Sequence, residues 1–448
     1  MSRTRHLAAG LAALITLAGA GIARPAAAAP AVQAYGTFDA LTYNVAGLPE
    51  GLSSAPSPRE PATEAIGERL SPYEVVHVQE DFNYHAHLYA ADDHTHRTPT
   101  SGGAGIGSGL NTLSNLPYDE DDFERVRWRS CQLDSGDCLT PKGFTFMRLR
   151  LTEGAYVDLY NLHTNAGTTA GDQSSRADNL DQLSAFLASH SAGNAVLVMG
   201  DTNARYTRTG DTIAAFAAAN GLTDAWVDLE RGGVAPEAGS APLLCDATAP
   251  SDTCEVVDKV LYRGSRFITL NAVSYRNLHT AFLDEADRML SDHDPIAVGF
   301  SWSTNPAYQM SEQFGGPHGG YYTDIDAVPA AATADTIQIR AGARVDRIGL
   351  RLTNGTVLAH GGAGGTAASL TLAPAEQVTT IRLCRGRHNG TTRIFSVQFT
   401  TSAGRTLTGG TSTSDCVTRS VPSGWQPAGF HGRSGDEADK IGFIYTRR

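Results

Sequence analysis

What this chain of 448 residues lacks narrows its reading first. Past the N-terminus no stretch approaches the roughly 18 uninterrupted apolar residues that a membrane-crossing helix needs, so the mature chain is expected to carry no transmembrane segment. Positive charge is scarce through the middle. Residues 35–312 hold 18 Lys and Arg against 38 Asp and Glu. That balance disfavours a nucleic-acid binder, whose phosphate contacts want Lys and Arg. No Cys-x-x-Cys pair occurs, so a zinc-ribbon reading has no support.

What is present organises the chain into segments. Arg3 and Arg5 precede an Ala/Leu-rich run from Leu7 to Ala23, followed by small residues, which reads as an export signal over 1–34 with cleavage after Ala29 or Ala34. The protein is accordingly expected to be secreted. Six cysteines in an exported chain suggest disulfides. Nearness pairs Cys131 with Cys138, Cys245 with Cys254 and Cys384 with Cys416.

Residues 35–302 alternate apolar β-rich runs with helical patterns. The runs are Phe38–Val45, Glu74–Val78, Tyr156–Leu162, Ala195–Met199, Val256–Tyr262 and Ile296–Phe300. Leu180, Leu183, Phe186 and Leu187 sit at helical spacing within 174–190, and 211–220 reads as a second helix ended by Gly221. Such alternation predicts a layered α/β domain. A polar, Pro-containing patch opens a linker at 303–313. Beyond it Gly and Thr rise and short strands recur at 336–341, 345–352, 368–372, 378–383, 394–400 and 440–445, an all-β pattern. The His360–Gly365 stretch (HGGAGG) lacks the strand–helix setting of a nucleotide loop and reads as turn material.

Six short polar motifs punctuate the first domain. Asn44 ends LTYN, Glu80 lies in VQED, His163 ends NLH, Asp201 and Asn203 lie in MGDTN, Asp258 interrupts an apolar strand in VDKV, and Asp292 and His293 lie in SDHDP. Singly, each has a plain structural explanation as a cap, a turn or a structural histidine. Together they place carboxylates, amides and imidazoles at strand ends, where an α/β sheet presents its chemistry. His77, His85, His87, His94 and His96 cluster nearby. Their spacing matches no tight ligand pattern and reads as a solvated loop.

The order N … QE … H … GDxN … D … SDHxP resembles the endonuclease/exonuclease/phosphatase superfamily over about 35–302. That resemblance implies a four-layer α/β sandwich and a Mg²⁺ (or Mn²⁺) dependent phosphoesterase. It implies Glu80, Asn44 and Asp292 as the metal set, Asp201 or His293 as the group that deprotonates water, and Asp258 as the orienter of His293. Asn203 and His163 would donate to phosphate oxygens. The stretches FGGPHGG at 314–320, HGGAGG, and GFHGRSGDEADKIGF at 429–443 resemble jacalin-related lectins over 314–448. This implies a β-prism with a sugar pocket at Gly320, Asp436, Glu437 and Asp439. The combination is expected to act as a sphingomyelinase-like phosphodiesterase brought to glycans, with a phospholipid substrate favoured over nucleic acid. The alternatives are a DNase I-like endonuclease, an inositol-phosphate or phosphomonoester phosphatase, and a non-catalytic glycan-binding adhesin.

Overall fold

The computed structural model describes residues 33–133, 136–246 and 250–448. Of the expected export signal only Gln33 and Ala34 fall among them. The N-terminal part runs, in chain order, β1 (Tyr35–Asn44), α1 (Arg59–Leu70), β2 (Val75–Gln79), α2 (His85–Ala91), β3 (His96–Arg97), β4 (Asn111–Ser114), β5 (Glu124–Arg127), β6 (Gly143–Thr152), β7 (Ala155–His163) and α3 (Ala170–His190). It continues with β8 (Ala195–Asp201), α4 (Ile213–Ala219), β9 (Thr223–Asp224), α5 (Ala225–Glu230), β10 (Asp258–Arg263), β11 (Ile268–Asn277) and β12 (Ile296–Thr304).

These strands make two six-stranded sheets, ordered β11-β12-β1-β2-β4-β3 and β5-β6-β7-β8-β10-β9. Alternation along β1 explains the layering. Phe38 and Ala40 face the second sheet in one core, while Leu41 and Tyr43 face Ile66, Leu70 and Leu88 of α1 and α2 in another. On the far side Leu180, Leu183 and Leu187 of α3 pack onto Phe144, Tyr160 and Leu162. The result is a helix–sheet–sheet–helix sandwich. Helix α3 starts where Thr169 and Asp172 form a reciprocal capping box.

The C-terminal part is all-β. Its strands are β13 (Tyr308–Met310), β14 (Phe314–Gly315), β15 (Gly320–Thr323), β16 (Ala334–Ala341), β17 (Val345–Leu352), β18 (Val357–Gly361), β19 (Thr366–Thr371) and β20 (Val378–His388). Then follow β21 (Thr391–Thr401), β22 (Thr406–Gly410), β23 (Asp415–Ser420), β24 (Trp425–Ser434) and β25 (Ala438–Arg447). They form three sheets, β18-β17-β16-β19, β22-β21-β20-β23 and β13-β25-β24-β15, around one core that includes Ile337, Ile348, Leu383, Val397, Phe430 and Phe443. The HGGAGG stretch is not all turn. His360 and Gly361 end β18, and His360 stacks on Tyr322 while meeting Asp324 at 2.9 Å.

The stretch 303–313 does not run free. Ser303 and Thr304 finish β12, and β13 pairs with β25. The prism sits against the sandwich edge where β6 ends and β7 begins. Arg150 Nε donates to Glu312 at 2.7 Å, and Gly154 N donates to the same carboxylate. Lys440 and Arg433 reach Asp122 of the sandwich at 2.9 and 3.0 Å. All three disulfides join the cysteines paired by nearness.

Candidate active site

Strand direction gathers the six motifs. β1 runs parallel to β2 with Asn44 opposite Gln79, and β7 runs parallel to β8 with His163 opposite Asp201. The carboxyl ends of these two parallel pairs therefore share an edge. β10 and β12 run antiparallel to their neighbours, so their amino ends arrive there too. Asp258 lies opposite Asp201, and the Ser291–Pro295 segment leads into β12 beside β1.

Asp201 is the hub. Its Oδ2 accepts from Asn44 Nδ2 at 3.1 Å and lies 3.2 Å from His163 Nε2 and 3.7 Å from His293 Nε2. Its Oδ1 accepts from the Asn203 backbone N–H at 2.9 Å. His293 Nδ1 lies 2.9 Å from Asp258 Oδ2, which fixes the tautomer and leaves Nε2 free of a hydrogen bond beside Asp201. The His293 side chain is 19% exposed against 1–2% for Asp201 and Asp258, so it is the member of the trio that solvent reaches. Burial pushes the Asp201 carboxyl up, but His293 and His163 outweigh it and hold it far below the ordinary range. Burial also pushes Asp258 up. Burial pulls His293 down, yet Asp258 and then Asp201 outweigh it and raise the imidazole well above its usual value.

Glu80 and Asn203 are held in left-handed backbone, at φ 56° and 48°, and Ala46 beside Asn44 at 49°. Such conformations cost of order 1–3 kcal/mol each and persist only where the surroundings over-determine them. Around Glu80 two glycines do this. A Cβ on Gly47 would lie 2.3 Å from the Glu80 carbonyl, and one on Gly109 3.0 Å from the Glu80 Cα. Gly47 N–H donates to that carbonyl at 3.0 Å. Glu80 directly follows the end of β2 at this edge, and its half-buried carboxylate meets no hydrogen bond or ion pair among the described residues.

The donor set fits a divalent cation. Hard carboxylate and amide oxygens, one carboxylate unpaired, are the ligands such an ion takes. Asn44 Oδ1 accepts from Ala46 N at 3.1 Å, and Ser291 Oγ donates to the Asn44 carbonyl at 2.6 Å, tying the Asp292 segment to the end of β1. Asp201, Asp258 and His293 also place ligand atoms within 4.8 Å of one another. There the Nδ1 of His293 already serves Asp258, so this trio is better suited to moving protons than to caging an ion.

Several contributors escaped the motif reading. Asp81, buried, accepts from Asn111 Nδ2 at 2.6 Å and lies 2.6 Å from His85 Nδ1. Gln79 Nε2 donates to Asn161 Oδ1 at 2.8 Å, bonding one sheet to the other beneath the site. The buried Arg59 guanidinium binds the carbonyls of Val45, Ala46 and Leu290 at 2.7–3.0 Å, clamping two site loops. The only available signal was Asp81 following Glu80 directly. The five clustered histidines disperse. His77 is buried in β2, His85 serves Asp81, His87 meets Glu64, His94 meets Asp92, and His96 lies in β3.

At the prism, Gly320, Asp436, Glu437 and Asp439 come to one end. Gly319 and Gly435 lie over Asp439 Oδ2, while Oδ1 pairs with Arg393. Glu437 is bound by Arg344, and its carbonyl accepts from Gly435 N at 3.0 Å. Burial pushes the Asp439 carboxyl up to about 6.

The models of two families match, endonuclease/exonuclease/phosphatase family 2 over residues 59–239 and the jacalin-like lectin domain over 311–444. Horcolin of barley is 31% identical over 137 residues, covering 29% of this chain and 92% of that protein. The chain belongs to the jacalin-like lectin family through this C-terminal part. Its phosphatase-family part is similar to a sphingomyelinase of Mycobacterium tuberculosis, 42% identical over 274 residues, 60% of this chain and 53% of the relative. The chain thus spans about half the length of the curated relatives that its phosphatase-family part matches. Sphingomyelinase C from Streptomyces griseocarneus aligns with 59% of this chain and 99% of its own, at 20% identity and a TM-score of 0.41. Among the described residues no helix is long and apolar enough to cross a membrane.

Proposed function

We propose that this chain is a secreted, divalent-metal-dependent phosphodiesterase that cleaves sphingomyelin-type phospholipid head groups. Its catalytic unit occupies 35–302, and a glycan-binding prism occupies 314–448. The observation that carries the reading is the Asp258–His293–Asp201 chain, with Asn44 and His163 on the same Asp201 oxygen and an unpaired Glu80 at the same edge.

Glu80, Asn44 and Asp292 would hold Mg²⁺ or Mn²⁺. The bound ion supplies neutralisation of the phosphate and leaving-group oxygens. The chain's own residues do the rest. Asp258 holds Nδ1–H, so His293 Nε2 is the atom that exchanges a proton with the reacting water. Asp201 stays anionic and orients His293, His163 and Asn44. Asn203, whose side-chain amide makes only a long 3.4 Å bond to the Thr164 carbonyl, would donate to a phosphate oxygen, where charge builds in the transition state, while the buried His163 holds the Asp201 carboxylate in place. The acidic balance of the domain favours a zwitterionic head group over a polyanionic polymer. The paired cysteines and the basic-then-apolar N-terminus support secretion. In the prism, Asp439 Oδ2 and the backbone of Asp436 and Glu437 would meet a sugar.

The test compares Mg²⁺-dependent release of phosphocholine from sphingomyelin vesicles with nicking of plasmid DNA by the full chain. Release without nicking is expected, and Glu80→Ala and His293→Ala each abolish it while leaving the circular dichroism spectrum unchanged. Nicking without release would move the assignment to a DNase-like nuclease. Turnover of neither substrate would refute the phosphodiesterase reading.

A further inference from the structure

A cavity of about 480 Å³ lies where the prism, the 303–313 connection and the sandwich meet. That is the size of a small-ligand pocket, and such pockets gather at junctions between folded units. It is remote from the catalytic edge. Thr152 and Glu153, at the turn between β6 and β7, line it. From there β7 carries the chain to His163, about 26 Å away at roughly 3.3 Å per residue.

Arg419 of β23 is the sole cation among the described residues that line the cavity. Side chains alternate along a strand, so Val417 and Arg419 share one face of β23, opposite Leu383 and Ile381 of the prism core. A guanidinium thus stands in a core-facing row where an aliphatic side chain is ordinary. Its Nε is buried without a hydrogen-bond partner, and the guanidinium forms no ion pair among the described residues. Leaving a buried donor unpaired costs about 1–3 kcal/mol. The acid in the lining, Glu153, is exposed and does not pair with it. Phe267, Tyr308 and Tyr445 are buried and supply rigid apolar walls, Tyr308 being fixed where its Oη donates to the Val328 carbonyl at 2.9 Å. Thr152, Gln309, Thr418 and Ser420 also line the cavity, and their side chains meet no hydrogen bond among the described residues.

We propose that this cavity is a binding site for a hydroxylated carboxylate, the chemistry of an acidic sugar, with Arg419 taking the carboxylate. The site is independent of the proposed reaction and of the sugar pocket at Asp439. A carboxylate matches the planar fork of a guanidinium. One guanidinium with no second cation suits a single negative charge, whereas a phosphate dianion beside Glu153 would lack compensation. The unpaired hydroxyl and amide groups of the wall match the ligand's hydroxyls, whose bonds to water must be replaced on burial. Both folded units contribute walls, so a bound ligand bridges them and stabilises their union.

The test titrates the full chain with sodium D-glucuronate in a calorimeter, in EDTA so that no metal at the catalytic edge takes the carboxylate. D-Glucose, acetate and inorganic phosphate are titrated beside it. Glucuronate should bind at least about tenfold more tightly than each of them, and should raise the melting temperature. Arg419→Gln should weaken glucuronate binding at least about tenfold, the loss expected when a charge-assisted hydrogen bond is removed. Glu153→Gln, at an exposed position where folding is not at stake, should tighten it about two- to threefold by removing a like charge. Asp439→Asn should leave it unchanged. Methyl β-D-glucuronide distinguishes the sources of this chemistry: affinity equal to the free acid assigns the site to the end of a glycan chain, and loss of binding assigns it to a free sugar acid. Wild type that does not bind glucuronate would overturn the inference, as would equal affinity in Arg419→Gln or acetate or phosphate binding as tightly as glucuronate. Binding lost in Asp439→Asn but kept in Arg419→Gln would overturn it in favour of the prism pocket. The melting temperature of Arg419→Gln checks its folding, and should that variant not fold, an unchanged affinity in Glu153→Gln overturns the inference by itself.

Discussion

The contact between prism and sandwich turns on one buried carboxylate. Asp122 lies in a short 3₁₀ turn, its side chain 2% exposed, and accepts from Arg433 at 3.0 Å and Lys440 at 2.9 Å. Those cations are nearly as buried, at 9% and 4%, while the second acid on Lys440, Asp119, is 44% exposed and 2.6 Å away. Asp122→Ala leaves Arg433 with only Tyr321 Oη and the Gly319 carbonyl, and Lys440 with a solvated partner. Removing one partner of a buried pair costs about 3–5 kcal/mol, because the other charge stays buried. Replacing all three charges with apolar groups, Asp122→Leu with Lys440→Met and Arg433→Met, should restore most of that loss. The sign with pH follows from the same cluster. Burial pushes Asp122 up, but Lys440, Arg148 and Arg433 outweigh it and hold it below its usual range. Its stabilisation is therefore present above the unfolded value near 4 and is lost as pH falls through the folded one. Urea unfolding followed by tryptophan fluorescence reports both parts, through Trp128 and Trp226 in the sandwich and Trp425 in the prism. Asp122→Ala should lower the unfolding free energy by those several kcal/mol and separate the two transitions. A loss under about 1 kcal/mol, or a triple variant no better than the single one, would refute this account of the interface.

Asp258→Asn keeps the shape but removes the charge-assisted bond to His293, worth about 1.5–3 kcal/mol. kcat/KM should fall roughly 10- to 150-fold on sphingomyelin, and a fall under threefold would remove Asp258 from the mechanism. His77 and His431 are each pulled by burial to about 3, and His431 is held neutral between the Ser311 carbonyl at 3.0 Å and Gln313 Nε2 at 2.8 Å. Unfolded histidine titrates near 6.5, so between about pH 6.5 and 3 the unfolded chain binds more protons and stability falls as pH falls. The melting temperature should drop steadily below pH 6.5, with a shallower slope in His431→Gln, and identical slopes would count against it. On a glycan array the full chain should bind, and Asp439→Asn should abolish that binding; uniform blanks for wild type would remove the sugar site.

Much of the site could be read before any fold was known. A polar residue that ends an apolar run sits at a strand end, and Asn44, Glu80, His163 and Asp201 each do so because β1, β2, β7 and β8 are buried on both faces. The prism strands showed for a similar reason, since half-buried strands alternate. Helix α1 did not show. Its buried face interleaves Ala62, Ile66 and Leu70 with Arg59, Thr63 and Gly67, so only a thin apolar stripe marks it. Asp81 drew no role of its own because its partners, His85 and Asn111, lie 4 and 30 residues on.

Local order along the chain therefore determined which residues end strands, which cysteines lie near enough to join, and where an α/β pattern gives way to short strands. Those properties depend on neighbours a few positions apart. Tertiary structure alone decided which charges meet. Asp122 finds Lys440 across 318 residues, Asp201 finds Asn44 across 157, and Asp439 finds Arg393 across 46. Burial makes such pairings matter, and burial is a property of the packed molecule rather than of any stretch of its sequence.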